Sequence, residues 1–264
     1  EKRGELSEQE PGQLALLEQV MTVDVFDLAA RAEEAKRVVR GEQFYEADKL
    51  EIALNTFREA MQFISAAYYP ASLVFYPMES NLGYRPGVSK ELLACLDDEQ
   101  VNVYRDICNQ LVLPAVAKEK PEVVGLSIGT QMQLIAGLTF CRMIKETFPN
   151  VHVVIGGNVV TRLQEEWPQH EKFFAEVFDT AILYEGEHAL LWLIEALNGQ
   201  REMASVPNLM YRTADGVQQN KEIYTEKMTA LPLPDFDGFP LDHYFVPERI
   251  IPYLATRGCY WGRC

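Results

Sequence analysis

Two cysteines near the end of the sequence have the type and spacing of metal ligands. Cys259 and Cys264 flank the tetrapeptide Tyr-Trp-Gly-Arg, and Gly258 comes directly before the first of them. Cysteine thiolates on a glycine-containing loop suit a soft metal or an iron–sulfur cluster. A zinc site and a pair of free thiols are the alternatives that this spacing leaves open. We therefore treat Cys259 and Cys264 as candidate metal ligands.

Three turns in the middle of the chain form a second set of candidates, because each follows a short apolar run. The turn residues expected at a ligand are Ser127, Gly129, Thr130, Gly156, Gly157 and Gly186. Glycine lets the backbone approach a ligand closely, and a helix that starts after the turn directs its N–H groups to the same place. Turns between strands and helices also need glycine for their own geometry, so the signal lies in the set of three.

The apolar runs before these turns predict parallel strands joined by helices. Residues 123–128, 151–155 and 180–183 are short and rich in β-branched side chains, while residues 131–148 and 187–197 have helical periodicity. Alternation of this kind is typical of an α/β fold with a Rossmann-like parallel sheet. In such a sheet ligands bind at the carboxyl ends of the strands, near a switch in strand order.

The remaining chain divides by composition and periodicity. Apolar residues at three- and four-residue steps from residue 12 onward, interrupted at Gly41, predict a hairpin of two long helices. Asp215-Gly216 predicts a hairpin turn, and Pro114 a kink or an early helix end. The four predicted segments are a helical leader (1–67), the Rossmann-like domain (68–204), a hairpin with a proline-rich linker (205–249) and a strand with the cysteine loop (250–264).

Net charge and cysteine usage limit the partners and the compartment. The chain has 24 Lys and Arg against 39 Asp and Glu, a net charge of −15, which argues against nucleic acid and anionic membrane surfaces. No apolar run approaches the roughly 18 residues of a membrane helix. An odd, unevenly spread set of 5 cysteines does not suit a secreted disulfide framework, so we expect a cytoplasmic protein.

Several common sites are excluded by their missing motifs. The first strand is not followed by Gly-x-Gly-x-x-Gly, and there is no Gly-Lys-Ser/Thr loop for phosphate. The three strand ends carry no aspartate of the kind that a phospho-accepting receiver domain needs. None of the 4 histidines pairs with another ligand at metal spacing. Only His188 lies beside one of the candidate turns.

The sequence resembles the cobalamin-binding branch of the radical S-adenosylmethionine enzymes. Residues 123–128 (VVGLSI), 155–158 (IGGN) and 185–190 (EGEHAL) look like successive strand-end motifs of that family's B12-binding domain. Residues 257–264 (RGCYWGRC) look like the opening of its cluster-binding loop, on the first strand of the catalytic barrel. The resemblance implies cobalamin at the three turns. In the full-length protein it implies a [4Fe–4S] cluster that cleaves S-adenosylmethionine, and a methyltransferase activity.

The sequence also departs from the family pattern. The usual loop is Cys-x₃-Cys-x₂-Cys, whereas four residues separate Cys259 from Cys264 and no third cysteine follows. We therefore expect a polypeptide that continues beyond Cys264, and no radical chemistry from this chain alone. The Asp-x-His-x-x-Gly loop, whose histidine binds cobalt in many cobalamin domains, is missing. The alternative is a non-catalytic docking module with a degenerate B12-binding fold, for which the acidic surface and the helical leader are suited.

Overall fold

The structure is a computed structural model that describes residues 18, 20–75, 79–254, 256–258 and 261. The chain divides into two compact units, of which the second is inserted into the first. The helical unit comprises Glu1–Asn81 with Lys227–Cys264, and the sheet unit comprises Leu82–Glu226. The predicted segment boundaries at residues 68, 205 and 250 stay predictions.

The helical unit is built on an antiparallel pair of helices, as the periodicity predicts. Helix α1 spans Val25–Arg40 and helix α2 spans Ala47–Ala67. Asp24 begins α1, since its carboxylate accepts hydrogen bonds from two backbone N–H groups of the first turn. The two helices share a buried core of Ala35, Val38, Val39, Ala53 and Phe57. The predicted hairpin is confirmed for these residues, and the predicted start near residue 12 lies outside the described residues.

The proline-rich linker packs against this helical pair. The ring of Phe245 stacks on Phe57 with centroids 5.1 Å apart, and Phe75 adjoins both rings. The guanidinium of Arg40 lies 5.0 Å from the Phe245 centroid and donates to the carbonyl of His243 at 2.7 Å. A short antiparallel pair, β1 (Ser72–Val74) with β2 (Glu79–Asn81), completes the unit.

The sheet unit contains five strands whose spatial order follows the chain. The strands are β3 (Val123–Ser127), β4 (His152–Gly156), β5 (Thr180–Ile182), β6 (Leu209–Thr213) and β7 (Gly216–Gln219). The first three are parallel, and β6 and β7 form the predicted hairpin, which adds antiparallel to β5. The predicted α/β class is confirmed. Within the described residues, however, no switch in strand order marks a ligand crevice.

Helices surround this sheet. They are α3 (Ser89–Asp97), α4 (Val103–Ile107), α5 (Leu113–Glu119), α6 (Leu134–Thr147), α7 (Asn158–Arg162), α8 (Glu171–Glu176) and α9 (Glu187–Leu197). Val154 packs against Ala189 and Leu193 of α9. Its neighbours Val153 and Ile155, which point to the opposite face, are also fully buried. Strand β4 is therefore covered on both faces, as is usual for a central parallel strand.

Two local predictions need correction. Pro114 does not end a helix, because a π-helical segment, Cys108–Val112, links α4 to α5 and Pro114 sits in the first turn of α5. A proline there removes an N–H that needs no partner. The strand predicted from Ile250 is not formed in residues 250–254, which have no regular secondary structure. A strand requires a hydrogen-bonded neighbour, and the described residues provide none for this segment.

Candidate functional site at the carboxyl edge of the sheet

The three predicted turns meet at one edge of the sheet. Ser127, the last residue of β3, pairs in register with Gly156, the last residue of β4. Strand β5 runs parallel to β4, with Ala181 opposite Ile155, so β5 ends at the same edge. Residues far apart in the sequence are thus brought together because parallel strands present their carboxyl ends on one side.

Two backbone N–H groups of the first turn are hydrogen-bonded within the turn itself. The side-chain oxygen of Gln133 accepts hydrogen bonds from the N–H groups of Gly129 at 2.9 Å and Thr130 at 3.1 Å. Thr130 caps the following turn in return, which makes a reciprocal capping box. The residues Ser127 and Thr130 are nevertheless exposed at the edge.

The second turn needs glycine for a reason internal to the fold. Gly157 has φ +102° and ψ 174°, a backbone conformation essentially restricted to glycine. A Cβ atom there would lie 2.6 Å from the carbonyl oxygen of Ile128. That carbonyl accepts from the N–H of Val159 at 3.2 Å, and the N–H of Ile128 donates to Gly156 at 2.7 Å. The close approach therefore joins the ends of β3 and β4.

The third turn is fixed by a neighbouring helix. The N–H of Tyr184 donates to the hydroxyl of Thr161 at 2.7 Å, and the Tyr184 hydroxyl lies 2.6 Å from the side-chain oxygen of Gln164. Tyr184 adopts φ +59°, in the left-handed region. Gly186 follows and directly precedes α9, so the N-terminus of this helix also lies at the edge.

Next to Gly186, a buried carboxylate holds the imidazole of His188. Glu226 accepts from the backbone N–H of His188 at 2.9 Å through Oε1, and its Oε2 lies 2.6 Å from His188 Nδ1. An ionised carboxylate can only accept, so Nδ1 is the nitrogen that carries a proton toward Glu226. The side chain of Glu226 is 1% exposed, whereas that of His188 is 35% exposed. The N–H of Glu226 donates to the carboxylate of Glu185.

Asn208 fixes the segment that leads to Glu226. Its amide nitrogen donates to the carbonyls of Glu185 at 2.9 Å and Tyr224 at 2.8 Å, and its oxygen accepts from the N–H of Tyr224 at 2.9 Å. Asn208 is 2% exposed and adopts φ +61°, a conformation that asparagine tolerates better than most residues. The third turn and the segment before Glu226 are therefore held by one side chain.

Aromatic packing restricts the ring of His188 further. Its centroid lies 5.4 Å from the rings of both Trp192 and Tyr224, and these two rings lie 5.0 Å apart. The guanidinium of Arg201 covers Trp192 at 5.3 Å. Hydrogen bonding at Nδ1 and ring contacts on the sides together fix the orientation of the imidazole.

The cysteines fall into two groups. Cys259 and Cys264 lie outside the described residues. Cys95, Cys108 and Cys141 are buried, and burial raises the pKa of Cys95 to about 12 and that of Cys108 to about 11. Thiols of this kind are inert packing residues at neutral pH. Among the described residues, no group of three or more His, Cys, Asp or Glu side chains could hold a metal ion.

A cavity of 430 Å³ lies at the amino edge of the sheet, away from the three turns. Its lining includes Val116, Lys120 and Phe148, from the segments that lead into β3 and β4. The lining contains none of the candidate ligand residues. In the described part of the chain, no helix is both long enough and apolar enough to cross a membrane.

The fold is similar to parts of two solved radical enzymes. One is the cobalamin-dependent S-adenosylmethionine radical enzyme OxsB, with aqua-cobalamin bound and, in a second structure, with S-adenosylmethionine as well. It is 21% identical over 45% of this chain and 16% of that chain, with a TM-score of 0.36. The other is the radical S-adenosylmethionine methyltransferase TsrM from Kitasatospora setae, with tryptophan and a SAM analogue bound. It is 18% identical over 52% of this chain and 27% of that chain, with a TM-score of 0.33.

This chain therefore spans about a sixth of the matched OxsB chain and about a quarter of the matched TsrM chain. No family model and no curated protein sequence matches it.

Three residues of the site were missed by the sequence analysis. Gln133 carried a signal, since Thr-x-x-Gln before an apolar helix is a capping-box pattern. Asn208 and Glu226 carried none, because they lie 23 and 38 residues from their partners Glu185 and His188 and only the fold brings them together.

Proposed function

We propose that the carboxyl edge of the sheet unit binds a corrinoid. The chain would then be the N-terminal, cobalamin-binding portion of a radical S-adenosylmethionine enzyme with methyltransferase activity. The observation that carries this proposal is the convergence of the three turns. The strand-end motifs that resemble a B12-binding domain lie at one edge, with Ser127 and Gly156 in register.

The residues at this edge fit a ligand of this type. An added Cβ at Gly129 or Gly186 would meet only ordinary van der Waals contacts, so both backbones are open to a close approach. The exposed residues Ser127 and Thr130 would offer hydroxyl groups to the polar nucleotide tail. His188 adds a fixed imidazole. When bound, a corrinoid would supply methyl-group or electron transfer, and the role of these residues would be to hold and orient it.

The second cofactor of the proposal is assigned to the cysteine pair. Cys259 and Cys264 would be two of the thiolate ligands of a [4Fe–4S] cluster in a longer polypeptide, where the cluster would cleave S-adenosylmethionine. The small molecules bound by the whole enzyme would be these cofactors and a substrate whose site lies in the catalytic barrel.

Titration with hydroxocobalamin tests the corrinoid site directly. The 264-residue chain should bind one equivalent, measured by equilibrium dialysis and by the visible spectrum. Ser127→Phe places an aromatic ring at the edge and should abolish binding. Asn150→Phe adds the same ring at an exposed turn before β4, at the amino edge, and should leave binding unchanged.

Two results would contradict the proposal. The first is the absence of stoichiometric binding by the wild-type chain, which would favour the docking-module alternative. The second is equal loss of binding in both variants, which would place the ligand away from the three turns. Circular dichroism of each variant confirms that the fold is retained.

A further inference from the structure

We propose that strand β3 pairs with β3 of a second copy of this chain, so that two sheets become one continuous sheet. The two strands run antiparallel about a two-fold axis at Gly125. This inference goes beyond the proposed function, because it concerns the side edge of the sheet and needs no bound cofactor.

Strand β3 lies at the end of the sheet. It pairs with β4 on one side, and among the strands that the structure describes none pairs with it on the other. Gly125 and Ser127 are exposed, and Val124 and Leu126 are half-buried. A strand in this position presents a row of backbone groups with which another strand can pair.

The hydrogen bonds to β4 show which backbone groups point outward. The N–H of His152 donates to the carbonyl of Glu122 at 2.9 Å, and the N–H of Ile128 donates to the carbonyl of Gly156 at 2.7 Å. Even-numbered residues of β3 therefore face β4. Since successive residues of a strand alternate in direction, the N–H and C=O groups of the odd-numbered residues 123, 125 and 127 point to the open edge.

The open edge has none of the devices that usually protect a sheet from such pairing. Strand β3 reads VVGLS, with no proline and no charged residue. Natural sheets block their edges with lysine, proline, bulges or a covering segment. An uncharged edge matters in this chain, because a net charge of −15 makes two copies repel each other over most other surfaces.

The strand is complementary to itself when the axis passes through Gly125. Val123 then lies opposite Ser127 of the second copy, and all the outward N–H and C=O groups of residues 123, 125 and 127 find partners. Val124 lies opposite Leu126 of the second copy, so apolar side chains meet apolar side chains. Glu122 lies opposite Ile128 rather than another carboxylate. This register is what an isologous two-fold interface requires, and it favours a second copy over an unrelated peptide.

Helix α9 supplies further apolar surface beside this edge. At 100° per residue, Leu190, Ile194 and Leu197 lie on the flank of α9 opposite Trp192. They are 37, 38 and 40% exposed. Trp192 contacts Tyr224, whose N–H is bound by Asn208 at the start of β6, so the other flank lies toward β3.

The two flanks would face each other in the pair. A two-fold axis between antiparallel strands is perpendicular to the sheet and places both α9 helices on the same face. Val123 already packs against the core below α9. Backbone pairing over five residues needs such support, since stable protein interfaces bury roughly 1,200 Å² or more.

Sedimentation velocity of the 264-residue chain over a concentration series tests the pairing. The wild-type chain should sediment as a dimer. Gly125→Lys places two lysines opposite each other at the axis and should shift the chain to the monomer. Its Cβ would lie 3.7 Å from a methyl group of Val154, an ordinary contact, so the fold should be retained, as circular dichroism would verify. Gly87→Lys is the matched control, because a Cβ there would meet nothing within 4 Å, and should stay dimeric.

Crosslinking tests the register independently. In the proposed register the two Gly125 Cα atoms lie about 5.5 Å apart, within the range of a disulfide. Gly125→Cys, in a chain that also carries Cys259→Ser and Cys264→Ser, should therefore form a disulfide dimer on mild oxidation. Gly87→Cys in the same background should not, and peptide mass spectrometry identifies the linked residues. The three buried cysteines stay in both chains.

Several results would overturn the inference. A wild-type chain that is monomeric throughout the series has no such interface, and one that forms open-ended oligomers does not close about a two-fold axis. A dimer that survives Gly125→Lys would associate through another surface. If Gly125→Lys does not fold, crosslinking decides, and a Gly125→Cys chain that crosslinks no faster than the Gly87→Cys chain rejects the register.

Discussion

Replacement of Gly157 by alanine should destabilise the sheet unit strongly, and the structure gives the size of the effect. Alanine in this glycine-only backbone region costs about 1–3 kcal/mol of strain. The new Cβ would lie 2.6 Å from the carbonyl oxygen of Ile128, so that backbone must move. Movement weakens two hydrogen bonds of Ile128, each worth about 1 kcal/mol. The sum is a loss of about 3–5 kcal/mol in the free energy of unfolding.

Gly216→Ala is a matched control for this variant. Gly216 has φ +106°, nearly the φ of Gly157, but a Cβ there would meet nothing within 4 Å. It should therefore cost only the backbone strain, about 1–3 kcal/mol as at Gly157. The difference between the two variants isolates the contact with the end of β3.

Urea unfolding followed by tryptophan fluorescence measures both variants. Trp167 is 3% exposed and lies, like Trp192, in the sheet unit, so the signal reports mainly on that unit. The two variants should show the same denaturant slope and different midpoints. Equal loss of stability in both would refute the reasoning, because the close approach of Gly157 to Ile128 would then have no energetic weight.

Three further predictions follow from buried groups in the sheet unit. The three buried cysteines should resist alkylation at pH 8 in the native chain and react after unfolding, as measured by peptide mass spectrometry; they are Cys95, Cys108 and Cys141. With a pKa of about 11, only about one Cys108 thiol in a thousand is ionised at pH 8, and the thiolate is the form that reacts. Burial lowers the pKa of His152 below 6.5, so the unfolded chain binds a proton at this residue more readily than the folded chain. The free energy of unfolding should therefore fall as the pH is lowered from 6.5 toward the folded-state pKa of His152. His152→Gln should make the free energy of unfolding less dependent on pH in this range, as measured by urea unfolding at several pH values. Asn208→Ala leaves three backbone groups without their partner and should lower stability by about 2–4 kcal/mol in thermal or urea unfolding, whereas an unchanged midpoint would contradict the role assigned to its amide.

The periodicity of the sequence was sufficient for the three parallel strands, for the helices at 134–147 and 187–197, and for the edge at which the strands end. Strand β4 begins and ends within one residue of its predicted position, and α9 spans the predicted 187–197. Both signals are local, because hydrophobic spacing and turn residues are set by neighbours along the chain. The parallel arrangement followed from alternation of the elements.

The parts that the sequence could not predict depend on distant contacts. The chain before Pro114 could either leave the helical conformation or form a π-helical turn, and no local sequence pattern distinguishes these two outcomes. The carboxylate that orients His188 belongs to Glu226, beyond the β6–β7 hairpin. The glycines at the strand ends could not be assigned to ligand binding from the sequence, because a distant contact can also require glycine. Gly157 is required by the close approach of the Ile128 carbonyl whether or not a ligand binds.

The insertion of the sheet unit into the helical unit has a consequence for synthesis of the chain on the ribosome. All of Leu82–Glu226 is available before Phe245 is made, so the sheet unit can fold first. Helices α1 and α2 emerge earlier still, but the aromatic ring that stacks on Phe57 arrives almost 190 residues later in the sequence. The helical pair is therefore translated before the sheet unit but completes its core after it, and a chain that stops at Glu226 would leave that core open.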